Sequence, residues 1–158
     1  MAESLQPKPV SASRISLAQL SQPENANNLG NVHGGWIMKL VDEAGALACM
    51  RHAQRPVVTV AIDSMVFRKP IKIGDLVLIT AEVTYAGRTS LEAEVRVQTE
   101  NPITGERIET NTAYVVYVAL GDDGHPVAVP PLLAETDDER RKLEDGRQRQ
   151  ARRLASRK

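Results

Sequence analysis

A change in the spacing of apolar residues near Pro56 constrains the fold of this chain more than any other feature. Before it, apolar residues recur on one face at the 3.6-residue period of a helix over residues 35–52. After it, they alternate with polar residues at the period of two that is typical of strands. The helix stripe consists of Ile37, Leu40, Val41, Ala44, Leu47 and Ala48. The predicted strands are residues 57–67, 75–86, 89–100 and 107–120.

One helix followed by four long strands predicts the α+β class. A shorter strand is predicted over residues 13–20, so we expect an antiparallel sheet of five to six strands wrapped around a long central helix. The sequence has no repeating strand–helix alternation, which argues against a doubly wound parallel fold. We predict one domain over residues 13–134, after a flexible Ser/Pro-rich N-terminus over residues 1–12.

The last 24 residues have a different composition from the domain. Residues 135–158 contain nine Lys or Arg and six Asp or Glu, with the acids first and the bases later, as the helix dipole favours. Apolar residues are sparse there, so we predict a charged helical tail that is solvated and frays. A nucleic-acid or phosphate role for its basic end is an open alternative.

Composition sets the broad class of protein. The chain is 42% hydrophobic and 25% charged with a formal charge of zero, which argues against a general nucleic-acid binder or a binder of anionic membranes. No apolar run reaches the roughly 20 residues that span a bilayer, and no signal peptide is recognisable. The single cysteine, Cys49, excludes an intrachain disulfide and favours a reducing compartment. We therefore expect a cytoplasmic protein.

The run "NANNLGNVHGGWIMKLVDEAG" contains the candidate catalytic residues. Gly34 and Gly35 let a ligand approach the backbone at the helix start, where free N–H groups suit a developing oxyanion. The loss of one such donor costs about 2.7–4 kcal/mol. The alternative is an ordinary glycine-assisted helix entry. His33 either donates to a carbonyl or packs the loop, and Asn27 either contacts substrate or bonds its own backbone in an Asx turn.

Asp42 is the second candidate group. It lies off the apolar stripe on a flank with Met38, Gly45 and Cys49, where a surface helix normally carries Lys or Glu. A carboxylate among small and apolar residues is costly unless it is paired or functional. Because aspartate is ionised at pH 7, Asp42 fits a base or a nucleophile. The alternative is an interface aspartate bonded to a neighbouring group, and the adjacent Glu43 is expected to be solvated.

Basic residues form two further clusters. Arg68, Lys69 and Lys72 lie in "FRKPIK", and Arg88 lies in the turn "AGRTS". They are either solvated edge charges or contacts to the phosphates of a bulky anionic ligand. The sequence contains no phosphate-binding loop and no nucleophile elbow. The histidines and Cys49 lack metal-ligand spacing, so we predict no metal site.

Four segments resemble one known family. "NNLGNVHGGWIMKLVDEAG", "AIDSMVFRKPIKIGDLV", "TYAGRTSLEAEV" and "AYVVYVAL" are similar to the hotdog-fold acyl-CoA thioesterases of the YciA-like and brain acyl-CoA hydrolase type, over residues 15–133. The resemblance implies a single hotdog domain, hydrolysis of acyl-CoA to free acid and CoA, and no cofactor beyond the CoA of substrate and product. It also implies a homo-oligomer, with active sites shared across a dimer and dimers assembled as a trimer of dimers.

The resemblance also implies roles for individual residues. Asp42 matches the catalytic acid position, and Asn27 matches an asparagine supplied by the opposing subunit. The Gly35 amide would contact the oxyanion, with His33 close to the carbonyl. The alternative function is a non-hydrolytic acyl-CoA-binding module, whereas a hotdog dehydratase is disfavoured because no histidine occupies the Asp42 position. The expected CoA-binding residues are Gly34, Arg68, Lys69, Lys72, Gly87, Arg88, Thr89 and Ser90.

Overall fold

The computed structural model, which describes residues 4–157, centres on a five-stranded antiparallel sheet. Two further short strands, one near each end of the domain, pair in parallel as a separate two-stranded sheet. This architecture confirms the predicted α+β fold. In chain order the elements are β1 (Lys8–Pro9), β2 (Ile15–Leu20), α1 (Gly34–Ala53), β3 (Val57–Met65), β4 (Leu76–Ala86), β5 (Ser90–Glu100), β6 (Arg107–Ala119), β7 (Leu132–Leu133) and α2 (Asp137–Ala155). The five-stranded sheet has the order β2-β4-β5-β6-β3, and the two-stranded sheet consists of β1 and β7.

The helix α1 packs across one face of the sheet and contacts all five of its strands. Its buried residues include most of the predicted stripe, although Leu47 is partly exposed. The apolar positions of β5 that face it are fully buried, namely Leu91, Ala93, Val95 and Val97. Each fully buried Val or Leu side chain contributes about 1.5–3 kcal/mol. The hydrophobic core therefore lies between α1 and this inner face of the sheet.

The helix α2 packs on the opposite, outer face of the sheet. Glu92 and Glu94 alternate with the core residues of β5 and point outward, where bases of α2 meet them. Lys142 Nζ lies 2.8 Å from Glu82 Oε1 and 3.1 Å from Glu94 Oε1. Arg149 makes two hydrogen bonds to Glu92, at 2.7 and 2.9 Å. The helix that was predicted is present, but the prediction that it is solvated and frays is wrong, because buried ion pairs attach it to β4 and β5.

The N-terminal segment differs from the flexible tail that the sequence predicted for residues 1–12. Lys8 and Pro9 form β1, a 3₁₀ helix spans Val10–Ser13, and Val10 is buried. Lys8 Nζ donates to the His52 carbonyl at 2.9 Å, and Ser13 Oγ accepts from the Val83 N–H at 2.9 Å. Proline and serine were interpreted as signs of a loose tail, yet here they form turns and caps against α1 and β4. The first three residues of that tail lie outside the described part of the chain.

The edge strand β3 carries an exposed apolar row. Val58, Val60 and Ile62 are 43%, 44% and 38% exposed, and Met38 and Leu47 on α1 are also exposed. Within residues 4–157, β3 pairs on one side only, with β6. An unpaired strand edge with apolar side chains is a template for association with another chain. None of the helices over these residues is long and apolar enough to cross a membrane.

His52, at the C-terminal end of α1, gives a prediction about pH. Its buried ring places Nε2 2.7 Å from the Pro130 carbonyl, and within the described residues Nδ1 has no partner. Burial lowers the pKa of His52, against the smaller opposing effect of the Pro130 hydrogen bond. Below the unfolded pKa of about 6.5, the unfolded state therefore binds more protons than the folded state. The contribution of neutral, buried His52 to the free energy of unfolding is therefore fully present above that pH. It decreases as the pH drops toward the pKa of His52 in the folded state.

We expect the loss of stability at low pH to be absent from His52→Gln, because the glutamine amide does not titrate and can still donate to the Pro130 carbonyl. The loss in the wild type amounts to about 1.4 kcal/mol for each unit by which burial lowers the pKa. Thermal melts between pH 8 and pH 5 measure it, and His125→Gln, at an exposed histidine, is the control and should behave as the wild type. Equal pH slopes for wild type and His52→Gln would show that His52 is not responsible.

Candidate active site

Asp42 lies in the middle of α1 and is held by two hydroxyl groups. Thr59 Oγ1 on β3 donates to Asp42 Oδ1 at 2.7 Å. The Tyr117 hydroxyl on β6 donates to the Asp42 carbonyl oxygen at 2.9 Å and lies 3.2 Å from Oδ1. Within residues 4–157, no basic side chain forms a salt bridge with this carboxylate. Two neutral donors orient Asp42 without neutralising its charge, which leaves it available as a base or a nucleophile.

Tyr117 is fully buried and packs closely against the helix at Gly45. A Cβ atom at position 45 would lie 2.4 Å from the Tyr117 hydroxyl oxygen, so only glycine admits the ring here. Burial raises the pKa of Tyr117, and the negative charge of Asp42 raises it further. The hydroxyl therefore keeps its proton and acts as a donor toward Asp42.

The start of α1 is capped by His33. The Gly35 N–H donates to His33 Nδ1 at 2.8 Å, and the His33 N–H donates to the Asn25 carbonyl at 2.7 Å. Because Nδ1 accepts, the proton of the neutral imidazole is on Nε2. The Gly35 amide, which the sequence presented as a free oxyanion donor, is therefore engaged by the imidazole in this structure. His33 is exposed.

Asn27 organises the loop that precedes α1. Its Oδ1 accepts from the backbone N–H groups of Leu29 at 2.9 Å and Asn31 at 3.1 Å, which is the Asx turn considered from sequence. Asn27 also lines a cavity of about 320 Å³ together with Gly34 and Arg68. Its local role in the turn and a role toward a ligand are compatible, because the turn uses only the amide oxygen.

The structure does not bring Asn27 and Asp42 together within one chain. Asp42 is eight residues beyond Gly34 on α1, which corresponds to about 12 Å along the helix axis. Over residues 4–157, no hydrogen bond joins Asp42 to Asn27, His33 or Gly35. The candidate residues therefore form two half-sites, one at the start of α1 and one at its middle.

The predicted CoA-binding residues also separate into two groups. Gly34, Arg68 and Lys69 line the cavity that contains Asn27, and Lys69 and Lys72 line an adjoining cavity of about 310 Å³. The four residues Gly87, Arg88, Thr89 and Ser90 lie at the turn between β4 and β5, beside the end of β6. Arg68 bonds Thr110 near the start of β6, and Ala119 bonds Thr89 near its end. Nine residues of strand separate these points, or about 30 Å.

Two residues of the Asp42 half-site were missed by the sequence analysis. Thr59 is a single hydroxyl in the apolar run "VVTVAI", and this interruption is a signal that could have been noticed. Tyr117 has no comparable local signal, because its contact with Asp42 spans 75 positions of the chain. Among the described residues, no group of three or more His, Cys, Asp or Glu could bind a metal ion.

Comparisons with known proteins identify the class. Residues 29–106 match the family model described as the thioesterase superfamily. The cytosolic acyl coenzyme A thioester hydrolase of Rattus norvegicus is 34% identical over 146 residues, or 91% of this chain, and the match spans only 38% of the length of that relative. The solved structure of a hexameric acyl-CoA thioesterase in its apo form is 37% identical, with a TM-score of 0.91 and coverage of 96% of this chain and 97% of that chain.

A third comparison concerns a ligand-bound relative. The acyl-CoA hydrolase from Staphylococcus aureus, solved with butyryl-CoA, CoA and CoA disulfide, is 35% identical with a TM-score of 0.87, covering 95% of this chain and 92% of that chain. The same enzyme has been solved as variants with one aspartate, one asparagine or one threonine replaced by alanine. The chain belongs to the thioesterase superfamily, and the resemblance to its acyl-CoA thioester hydrolases is confirmed.

Proposed function

We propose that this chain is an acyl-CoA thioesterase that hydrolyses the thioester to a free carboxylic acid and CoA. The observation that carries the proposal is the Asp42 carboxylate, which two neutral hydroxyl donors orient at the middle of the helix α1. A module that only binds acyl-CoA has no need of a carboxylate held in this way. The alanine variants of the Staphylococcus aureus enzyme replace the residue types of Asp42, Asn27 and Thr59, which supports the choice of these residues.

In the proposed reaction, Asp42 acts as a general base for water. It takes a proton from the water as the water oxygen attacks the thioester carbon, the C–S bond breaks, and the proton passes to the departing CoA thiolate. Proton transfer of this kind contributes typically about 10²–10⁴-fold to a rate. Direct attack by the carboxylate through an anhydride intermediate, which water then hydrolyses, uses the same residue.

The second half-site is proposed to bind the thioester carbonyl. The Gly35 N–H donates to the developing oxyanion when the His33 ring rotates away from it, and the Nε2–H of His33 serves as a second donor. Asn27 positions the water or the carbonyl through its amide group. Hydrogen-bond donors at a helix start are favourable for negative charge, which agrees with this role.

We propose that the two half-sites come from different subunits of a dimer. Asn27, His33 and Gly35 belong to one chain, and Asp42 belongs to its partner, because about 12 Å of helix separate them within a chain. The exposed apolar edge of β3 supports a second copy as the partner. Dimers then associate as a trimer of dimers, which is supported by the hexameric relatives.

CoA binding is proposed to use basic residues of both subunits. Arg68, Lys69 and Lys72 lie next to the Asn27 cavity and can pair with CoA phosphates, with Gly34 against the ligand. The turn over residues 87–90 contacts the same ligand from the partner subunit, since it is about 30 Å from that cavity within one chain. No cofactor besides the CoA of substrate and product is required. A cytoplasmic location agrees with the cytosolic rat relative.

Thiol release from acetyl-, butyryl-, octanoyl- and palmitoyl-CoA tests the proposal. The wild type should release thiol with kcat/KM of about 10⁴ M⁻¹s⁻¹ or more for its preferred chain length. Asn27→Ala and Asp42→Ala should each be impaired, and a 1:1 mixture after subunit exchange should recover about a quarter of the wild-type sites, because half of the dimers are mixed and each has one intact site. Wild-type protein that binds CoA but releases no thiol would indicate the non-hydrolytic module instead.

A further inference from the structure

The Tyr117 hydroxyl and Asp42 form a contact that the proposed reaction does not use directly. The hydroxyl lies 2.9 Å from the Asp42 carbonyl oxygen and 3.2 Å from its Oδ1, and the tyrosine ring is fully buried. A buried residue of this kind cannot touch acyl-CoA. Any effect of Tyr117 on turnover must therefore act through Asp42.

Both hydroxyl donors meet the same oxygen of the carboxylate. Thr59 Oγ1 donates to Oδ1 at 2.7 Å, and Tyr117 approaches Oδ1 from β6. Among residues 4–157, no side chain or backbone group donates to Oδ2. The two oxygens of Asp42 are therefore unequal, because Oδ1 is anchored while Oδ2 is open to a ligand.

The surroundings make this arrangement rigid. A Cβ at Gly45 would lie 2.4 Å from the Tyr117 hydroxyl oxygen, so the ring is closely packed against the backbone of α1. Lys39 and Glu43, two charged side chains of α1 close to Asp42 in sequence, form an exposed pair at 3.8 Å. Cys49, the other titratable group that faces Tyr117, is buried, and burial raises the pKa of its thiol, so that it stays neutral.

We infer that Tyr117 is a positioning residue that, together with Thr59, anchors Oδ1 of Asp42 and thereby directs Oδ2 to take the proton from water. The inference rests on the proposed thioesterase function and adds to it the residue that sets the orientation of the base. Misplacement of a reacting group by about 1 Å costs up to about 10²-fold in rate, so one buried hydroxyl is sufficient to matter.

Tyr117→Phe tests this, because it removes the hydroxyl and keeps the buried ring. We expect kcat to fall about ten- to a hundredfold with KM within about twofold, since the substrate contacts are intact. Tyr114→Phe is the matched control, since Tyr114 lies on the same strand and its hydroxyl bonds the Glu94 carboxylate at 3.0 Å on the outer face.

The outcomes separate the inference from the function. If the wild type releases thiol while Tyr117→Phe and Tyr114→Phe both keep its kcat, the positioning role is wrong and the thioesterase stands. If the wild type releases no thiol, the proposed function itself fails. If Tyr117→Phe does not fold, 3-fluorotyrosine at position 117 keeps the ring and gives a stronger donor. Its kcat should then change while KM stays within about twofold, because the donor to Oδ1 is altered and the substrate contacts are not, and an unchanged kcat would overturn the inference.

Discussion

Asp42→Asn is expected to lower kcat/KM for acyl-CoA hydrolysis by about 10²–10⁴-fold without loss of the folded oligomer. Asparagine has the shape of aspartate, and its amide oxygen can still accept from Thr59 and Tyr117. The surrounding hydrogen bonds are therefore kept while the base is removed. Thiol release measures the activity, and size-exclusion chromatography with a thermal melt verifies the assembly.

Glu43→Gln provides the matched control for this prediction. Glu43 is the next residue on α1, but its side chain is 51% exposed and pairs with Lys39 at 3.8 Å. Removing its charge should leave kcat/KM within about twofold, because exposed ion pairs of this kind contribute little. Comparable losses in the two variants would mean that a general change in charge, and not the base at position 42, determines the rate.

Glu92→Ala is expected to cause the largest loss of stability, about 3–5 kcal/mol. The Glu92 side chain is fully buried under α2, where it accepts two hydrogen bonds from Arg149 and one from Thr84 at 2.7 Å. Arg153 lies 3.5 Å from the same carboxylate. Removal of the carboxylate leaves the partly buried Arg149 guanidinium without its ion-pair partner, whereas Arg153 keeps its pair with Asp63. The outer face thereby loses a buried ion pair that attaches α2 to β5.

Glu100→Ala separates this effect from the loss of any glutamate on β5. Glu100 pairs with Arg107 at 2.7 Å, but that pair is near the surface and should contribute about 0–1 kcal/mol. Urea unfolding followed by circular dichroism, at one fixed protein concentration because the proposed assembly is oligomeric, measures both variants. Equal unfolding midpoints for the two variants would show that the buried ion pairs do not secure α2.

The sequence predicted the elements whose signal is local. The 3.6-residue spacing of apolar residues predicted α1 to within one residue of its observed bounds. The alternation of apolar and polar residues likewise predicted β4, β5 and β6. The end of β3 was predicted two residues too late, at residue 67 instead of Met65. The register between β3 and β6 is irregular between Thr59 and Ala61 and between Ile62 and Ser64, which the apolar pattern does not record.

Local sequence patterns could not predict that α2 packs on the sheet or that the N-terminal segment packs against α1. The charges of α2 were visible, but the hydrogen-bond partners of Lys142 on β4 and of Arg149 on β5 lie 60 and 57 positions away. A charged helix has the same composition whether it is solvated or paired, so the pattern alone favoured the solvated case. Lys8 meets α1 across 44 positions, which no spacing rule describes.

The residues of the candidate site also include some that the local sequence indicated and some that it did not. Asn27, His33, Gly34, Gly35 and Asp42 were recognised because they fall within a single run that leads into a helix. Thr59 and Tyr117 reach Asp42 only through the packing of β3 and β6 against α1. The motif therefore indicated the candidate reactive groups, whereas the contacts of Thr59 and Tyr117 with Asp42 became visible only in the structure.

The ionic layer beneath α2 has a consequence for how the protein can vary. Two bases on the inner side of α2 have acids on β4 and β5 as partners: Lys142 meets Glu82 and Glu94, and Arg149 meets Glu92. A chimera that receives the C-terminal helix of a homologue without the facing strands would bury unmatched charges. The helix and these strands are thus exchangeable only as one cassette, even though about 40 residues separate them in the gene product.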